Sequence, residues 1–174
     1  MLKQFHESSF FLHRTEHLLL DQHYHVKLTG FSFSRPYINP QSDRLELSET
    51  NCGLGPYFAP EVICGEPYNP KIADVWSVGA VVFMILNKRY PFDYKNVFVQ
   101  MNQQEGNEWR KKIRVPPSDV CIDFLAKLFD ITPSKRVTIR QALDHPWVAI
   151  PENTVKEERD DIKEDIKVGH CFKF

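Results

Sequence analysis

Four histidines near the start of the chain, His13, His17, His23 and His25, are the first residues whose types suggest chemistry. Closely spaced imidazoles can hold a transition metal, but no cysteine or carboxylate stands at ligand spacing beside them. The four cysteines, Cys52, Cys64, Cys121 and Cys171, are scattered with no C-x-x-C pair. That pattern points to reduced thiols in a cytoplasmic protein and away from a zinc site or a disulfide framework. The histidines are therefore read as strand and turn residues and no metal is assigned. Asp21, between two short apolar runs, reads as a turn former. Asp74 is the more informative carboxylate. With Ser77 it is the only polar interruption in KIADVWSVGAVVFMIL, residues 71–86, a run apolar on every side of a helical wheel. A carboxylate there must be paired or accept several N–H bonds, otherwise it would protonate. It either sits on the helix dipole in the first turn or pins a loop from elsewhere in the chain.

The elements that must position these groups follow from pattern. The run 71–86 reads as a buried central helix, too short to cross a bilayer, with Pro70 before it and Asn87 as its C-cap. Leu18-Leu19-Leu20 reads as a short buried strand, and His25-Val26-Lys27-Leu28 as its hairpin partner. Residues 34–51 are polar and turn-rich, an exposed loop. Residues 52–60 carry two glycines and two prolines around Tyr57 and Phe58, an irregular packed segment, and Glu61-Val62-Ile63 opens a helical turn. Later helices are predicted over 97–104 and after a Ser118 or Asp119 cap, the latter with a core face of Ile122, Leu125, Ala126 and Phe129. Thr138 with Gln141 forms a capping-box pattern for a last core helix that ends at His145-Pro146-Trp147. The fold class is mainly α, with one small β-hairpin near the N-terminus.

With 174 residues and 42% hydrophobic content the chain can bury one good core. A net charge of −1 gives no reason to expect nucleic acid or an anionic membrane as partner. The start, MLKQFHESSFFLHR, lacks a clean apolar core or a small-residue cleavage site, so no signal peptide is read. The organisation is a domain over 1–148 and a polar tail over 149–174, whose EERDDIKEDIK alternates acids and bases.

Five stretches, in order, carry a resemblance. Tyr57-Phe58-Ala59-Pro60-Glu61 resembles the element that closes the activation segment of protein kinases, and Asp74-Val75-Trp76-Ser77-Val78-Gly79 the start of their central helix. Tyr90-Pro91-Phe92, residues 130–136 and His145-Pro146-Trp147 resemble the helical subdomains that follow. Together they span nearly all of 2–148. The chain resembles the C-terminal lobe of a Ser/Thr protein kinase. Its 26–29, 50–53 and 67–71 stretches are most similar to testis-specific serine kinases of the calmodulin-kinase group. The resemblance implies that Glu61 pairs with Arg136 and that Asp74 accepts N–H bonds from the catalytic loop. It also implies that His13 and Phe31 stack above Asp74, and that Trp76 belongs to the retained frame.

The resemblance also exposes what is missing. Kinases use a base, metal ligands, a Lys and a Gly-rich loop around ATP and Mg²⁺. Their catalytic loop, His-Arg-Asp-Leu-Lys-x-x-Asn, corresponds here to His13-Arg14-Thr15-Glu16-His17, with the Asp and Lys deleted and His17 at the metal-binding Asn. The Asp-Phe-Gly motif corresponds to Gly30-Phe31-Ser32, and Leu54 stands where a hydroxyl is usual. No Gly-rich loop, strand Lys or partner Glu occurs in these residues. Glu16 is the only nearby carboxylate, and the shortened loop changes its reach. No catalytic residue, metal ligand or cofactor site is intact on this reading, and Thr50, facing Arg14, is a candidate phosphorylation site. The leading expectation is a truncated pseudokinase acting as a binding or scaffold module. Its protein partner would meet the face of Phe10-Phe11-Leu12, Leu18–Leu20 and Phe31 that an N-lobe would cover. The alternatives are a working Ser/Thr kinase and a product without function.

Overall fold

The computed structural model describes residues 15–149, apart from 24, 32, 33, 35, 40, 50–54 and 115. Its elements run β1 (Leu18–Leu20), β2 (Val26–Leu28), β3 (Ile38–Asn39), β4 (Arg44–Leu45), α1 (Pro60–Cys64), α2 (Pro70–Asn87), α3 (Val97–Glu105), α4 (Asp119–Leu128) and α5 (Ile139–Leu143), with 3-10 turns at Thr15–His17 and Glu108–Lys112. The body is mainly helical with a small hairpin near the start, as the sequence predicts.

Helix α2 is the axis. Pro70 occupies its first turn, where a missing N–H costs nothing, and the Asn69 side chain accepts from Lys71 N at 3.1 Å. The expected Asn87 cap is corrected by the structure. Asn87 is the last helical residue and Lys88 turns left-handed, with φ 53° and its N–H on Met84 O. Asn87 instead gives its amide to Phe83 O and accepts Arg114 N at 2.9 Å, tying the helix end to a later loop. At 18 residues α2 is also longer than the sequence reading allowed, and its length and apolarity alone would suit a membrane span. Its surroundings settle the matter, since Trp76, Ala80 and Phe83 are wholly enclosed by other elements.

Trp76 stacks on Phe92 at 5.5 Å and meets Phe129 edge-on at 5.1 Å. Trp109, in the unanticipated 3-10 turn, joins through Phe129 and Phe83. Such offset and edge-on pairs suit the ring quadrupoles. At Gly79 a Cβ would stand 3.0 Å from Leu128 Cβ and from Phe129 Cε1, so α4 approaches α2 there as closely as backbone permits. The buried α4 face is Cys121, Phe124, Leu125 and Leu128, with Phe129 after it. Ile122 and Ala126, expected in the core, are partly buried and pack against it, while Phe124 enters a second cluster with Val75 and Ala142.

Two further expectations are corrected. β1 pairs antiparallel with β2, Leu18 opposite Leu28, but it is not a buried strand: Leu19 is 51% and Leu20 63% exposed. Only Leu18 packs against the helical core. Within the stretch read as a loop, β3 and β4 form a second hairpin, Ile38 opposite Leu45. It is anchored by Tyr37, whose ring carries Lys71 Nζ at 3.7 Å, and by paired backbone bonds between Ser48 and Tyr68.

Candidate functional site

The site is built where the Thr15–His17 turn, the residues after β2 and the segment 55–61 meet α2. Thr29 N donates to His17 O at 2.9 Å, which fixes the turn against the end of β2. Gly30 then takes φ 80°, a conformation that suits glycine. Its missing side chain matters more. A Cβ at this position would stand 2.5 Å from His17 Cδ2 and Nε2, so the imidazole occupies the space any side chain would need. Glu16 is exposed and its Oε2 accepts from Thr15 Oγ1 at 3.3 Å. Phe31 is about half exposed. Asp74 is half-buried on α2. His13, Arg14, Ser32, Thr50 and Leu54 lie outside the described residues.

Tyr57 links this turn to the helical body. Its hydroxyl accepts from Thr15 N at 3.4 Å and lies 3.1 Å from Thr15 Oγ1. Its ring meets Tyr90 edge-on at 5.7 Å, and Tyr90 meets Tyr94 in the same way. Burial first, then the neighbouring Tyr57, push the Tyr90 phenol up to about 12. The backbone of the same segment is clasped from two sides. Ser77 Oγ donates to Tyr57 O at 2.9 Å from α2. From α3, Gln100 Nε2 donates to Gly55 O at 2.9 Å and Gln104 Nε2 to Phe58 O at 2.8 Å. Both glutamines are wholly buried, a role the sequence reading missed. The available signal was their i, i+4 spacing on one helix face.

Below the segment, Arg136 grips Glu61 in a bidentate pair, Nη1 to Oε1 at 2.6 Å and Nη2 to Oε2 at 2.9 Å. The guanidinium also donates to Ile72 O and Asp130 O, and it lies over the Trp76 ring at 5.0 Å. Trp76 is thereby capped by a planar cation whose hydrogen bonds all run to neighbouring segments. Asp21 accepts the backbone N–H groups of His23 and His25, each at 2.9 Å, as a turn residue does. Those bonds, the His25 one first, hold its carboxyl below the usual range. The His23 and His25 rings lie 6.1 Å apart, and among the described residues no three His, Cys, Asp or Glu groups are arranged to hold a metal.

Comparison with known proteins places this geometry. The family described as protein kinase domain matches residues 2–148. Testis-specific serine/threonine-protein kinase 1 of Mus musculus is 33% identical over 139 residues, 78% of this chain and 37% of its own length. Testis-specific serine/threonine-protein kinase 3 of Homo sapiens is 36% identical over 137 residues, 78% of this chain and 49% of its own. Serine/threonine-protein kinase kin-29 of Caenorhabditis briggsae is 31% identical over 156 residues, 88% of this chain and 18% of its own. The chain thus spans less than half the length of each of these relatives. The family match over most of the chain, laid on a helical body tied by Glu61 and Arg136, leads to one conclusion: the chain belongs to the protein kinase family, with testis-specific serine/threonine kinases among its relatives.

Proposed function

We propose that this chain is a kinase-fold module that binds a protein partner and does not itself transfer phosphate. The observation that carries the reading is the His17 ring lying where a side chain at position 30 would have to stand. By the family resemblance these two positions correspond to the metal-binding Asn and Asp. An imidazole and a bare backbone there do not fit a magnesium–nucleotide group, on which phosphoryl transfer relies for charge neutralisation. Glu16, the nearest carboxylate in sequence, is exposed and engaged with its neighbour Thr15. The proposed partner is a protein that covers Leu19, Leu20 and Phe31, since large exposed apolar groups of this kind mark interaction surfaces. The charge balance argues against nucleic acid, and the free thiols of Cys64 and Cys121 support a cytoplasmic setting.

A second reading, a protein Ser/Thr kinase, is favoured by the names of the relatives. It needs a base and metal ligands other than those at positions 16, 17 and 30. Melting the chain with and without millimolar ATP and magnesium separates the two. A ligand at a hundredfold excess over its Kd would raise stability by about 2.7 kcal/mol. No rise is expected. Radiolabelled phosphate incorporation into a basic peptide should also be absent, in the wild type and in Gly30→Asp with Ser32→Gly alike. Restoring one of several parts that act as a unit recovers little. A magnesium-dependent rise in Tm would show that the chain holds the nucleotide, and incorporation by either protein would replace this reading with that of a kinase. A chain that stays monomeric at high concentration and binds no apolar dye would count against the partner surface.

A further inference from the structure

The turn that follows α5 contains an enclosed imidazole. The His145 side chain is 6% exposed, and both of its ring nitrogens are committed. Nδ1 lies 3.2 Å from the backbone N of Trp147, which can only donate, so Nδ1 must accept. Nε2 lies 2.9 Å from Asp123 Oδ2 and must carry the proton. The hydrogen-bond network therefore assigns the neutral Nε2–H tautomer. The charged groups facing the ring are Asp123 and Lys127, both on α4. Lys127 Nζ stands 3.4 Å from Nε2 and is itself paired with Asp123. The other neighbours are apolar: Phe124, with its ring 5.0 Å from the imidazole and Trp147 stacked on it, in a cluster with Val75 of α2 and Ala142 of α5. Lys127 first, and His145 after it, hold the Asp123 carboxyl below the usual range.

We propose that His145 is a proton-sensitive latch whose protonation releases Trp147 and the turn leading into residues 150–174. A second proton can go only to Nδ1. It would set an N–H directly against the Trp147 N–H, turning a hydrogen bond into an opposition of two donors. Asp123 offers the imidazolium partial compensation. However, it is half exposed, already shared with Lys127, and the Lys127 ammonium faces the same ring nitrogen. The protonated ring relieves the conflict by swinging out. The Trp147 bond goes with it, and the Phe124–Trp147 stack loses its edge. The N–H groups of Val148 and Ala149, which both donate to His145 O, belong to the same turn.

Amide hydrogen exchange on the full chain, corrected for the intrinsic rate at each pH, reads the latch at Trp147. Loss of one hydrogen bond predicts about a tenfold fall in Trp147 protection when the sample is taken from neutral to acid pH. The amides of Leu125 and Phe129 serve as the unchanged reference. His145→Asn places a non-titrating acceptor near the Nδ1 position and should keep Trp147 protected at both pH values. His145→Gln can reach Asp123 but not Trp147, and should leave it unprotected at both. Constant Trp147 protection in the wild type, or an equal fall in His145→Asn, would overturn the proposal. So would ¹⁵N spectra of the wild type showing the Nδ1–H tautomer at neutral pH, a result that does not depend on either variant folding.

Discussion

Removing the carboxylate of Glu61 should be among the most damaging single changes available outside the aromatic core. The Arg136 side chain is 0% exposed and Glu61 is 13% exposed. In Glu61→Ala the guanidinium keeps Ile72 O and Asp130 O as acceptors, but Nη2, which among the described residues donates to Glu61 alone, is stranded with an uncompensated charge. Two unit charges about 4 Å apart interact by roughly 4 kcal/mol at an effective dielectric near 20. Orphaning one member of a buried pair costs about 3–5 kcal/mol. The upper end should not be reached, because the side of the pair that Glu61 leaves open admits water. Glu61→Gln keeps an acceptor without the charge and should cost about 1–3 kcal/mol. Replacing both residues, Glu61→Leu with Arg136→Met, should cost less than Glu61→Ala, since no charge is stranded and the methionine can still cover Trp76. Urea unfolding of the four proteins, compared at equal m-values, makes the measurement. A Glu61→Ala protein within error of wild type, or a double variant worse than the single, would refute the reasoning.

Two other outcomes follow from single contacts. Gly79→Ala should destabilise by about 1–3 kcal/mol through overpacking, because the new methyl would stand 3.0 Å from Leu128 Cβ and Phe129 Cε1, both of which must shift to admit it. A denaturant midpoint at or above wild type would show that α4 can move away from α2. In alkali, the Tyr90 phenol at about 12 against an ordinary 10.0 means that the folded chain holds this proton when the unfolded chain has lost it. Its contribution is therefore complete below pH 10 and declines as pH rises toward 12. Stability followed across that window should fall less steeply in Tyr90→Phe, and an identical slope would place the perturbation elsewhere.

The expected partners of Glu61 and Asp74 came through resemblance, whereas the elements that hold them are written in local pattern. Pro70 before an apolar run, Ser118 ahead of Ile122 and Leu125, and Thr138 with Gln141 each act within one or two turns of backbone. Their consequences are therefore legible without knowing what packs nearby, and α2, α4 and α5 stand where those signals put them. Burial is a property of pairs of elements, and here the sequence misled. Leu18, Leu19 and Leu20 are alike as residues, yet only Leu18 packs against the helical core, while Leu19 and Leu20 stay exposed. Asn87 has the composition of a cap, but contact with Arg114 keeps it helical and shifts the left-handed residue to Lys88. Gln100 and Gln104 look like a solvated helix face until the carbonyls of Gly55 and Phe58, more than forty positions away, turn them into buried clasps. The decisive feature of the site, an imidazole filling the space beside Gly30, joins residues thirteen positions apart across a hairpin. The family resemblance implies a carboxylate at position 30. Only the folded chain shows that its place is taken.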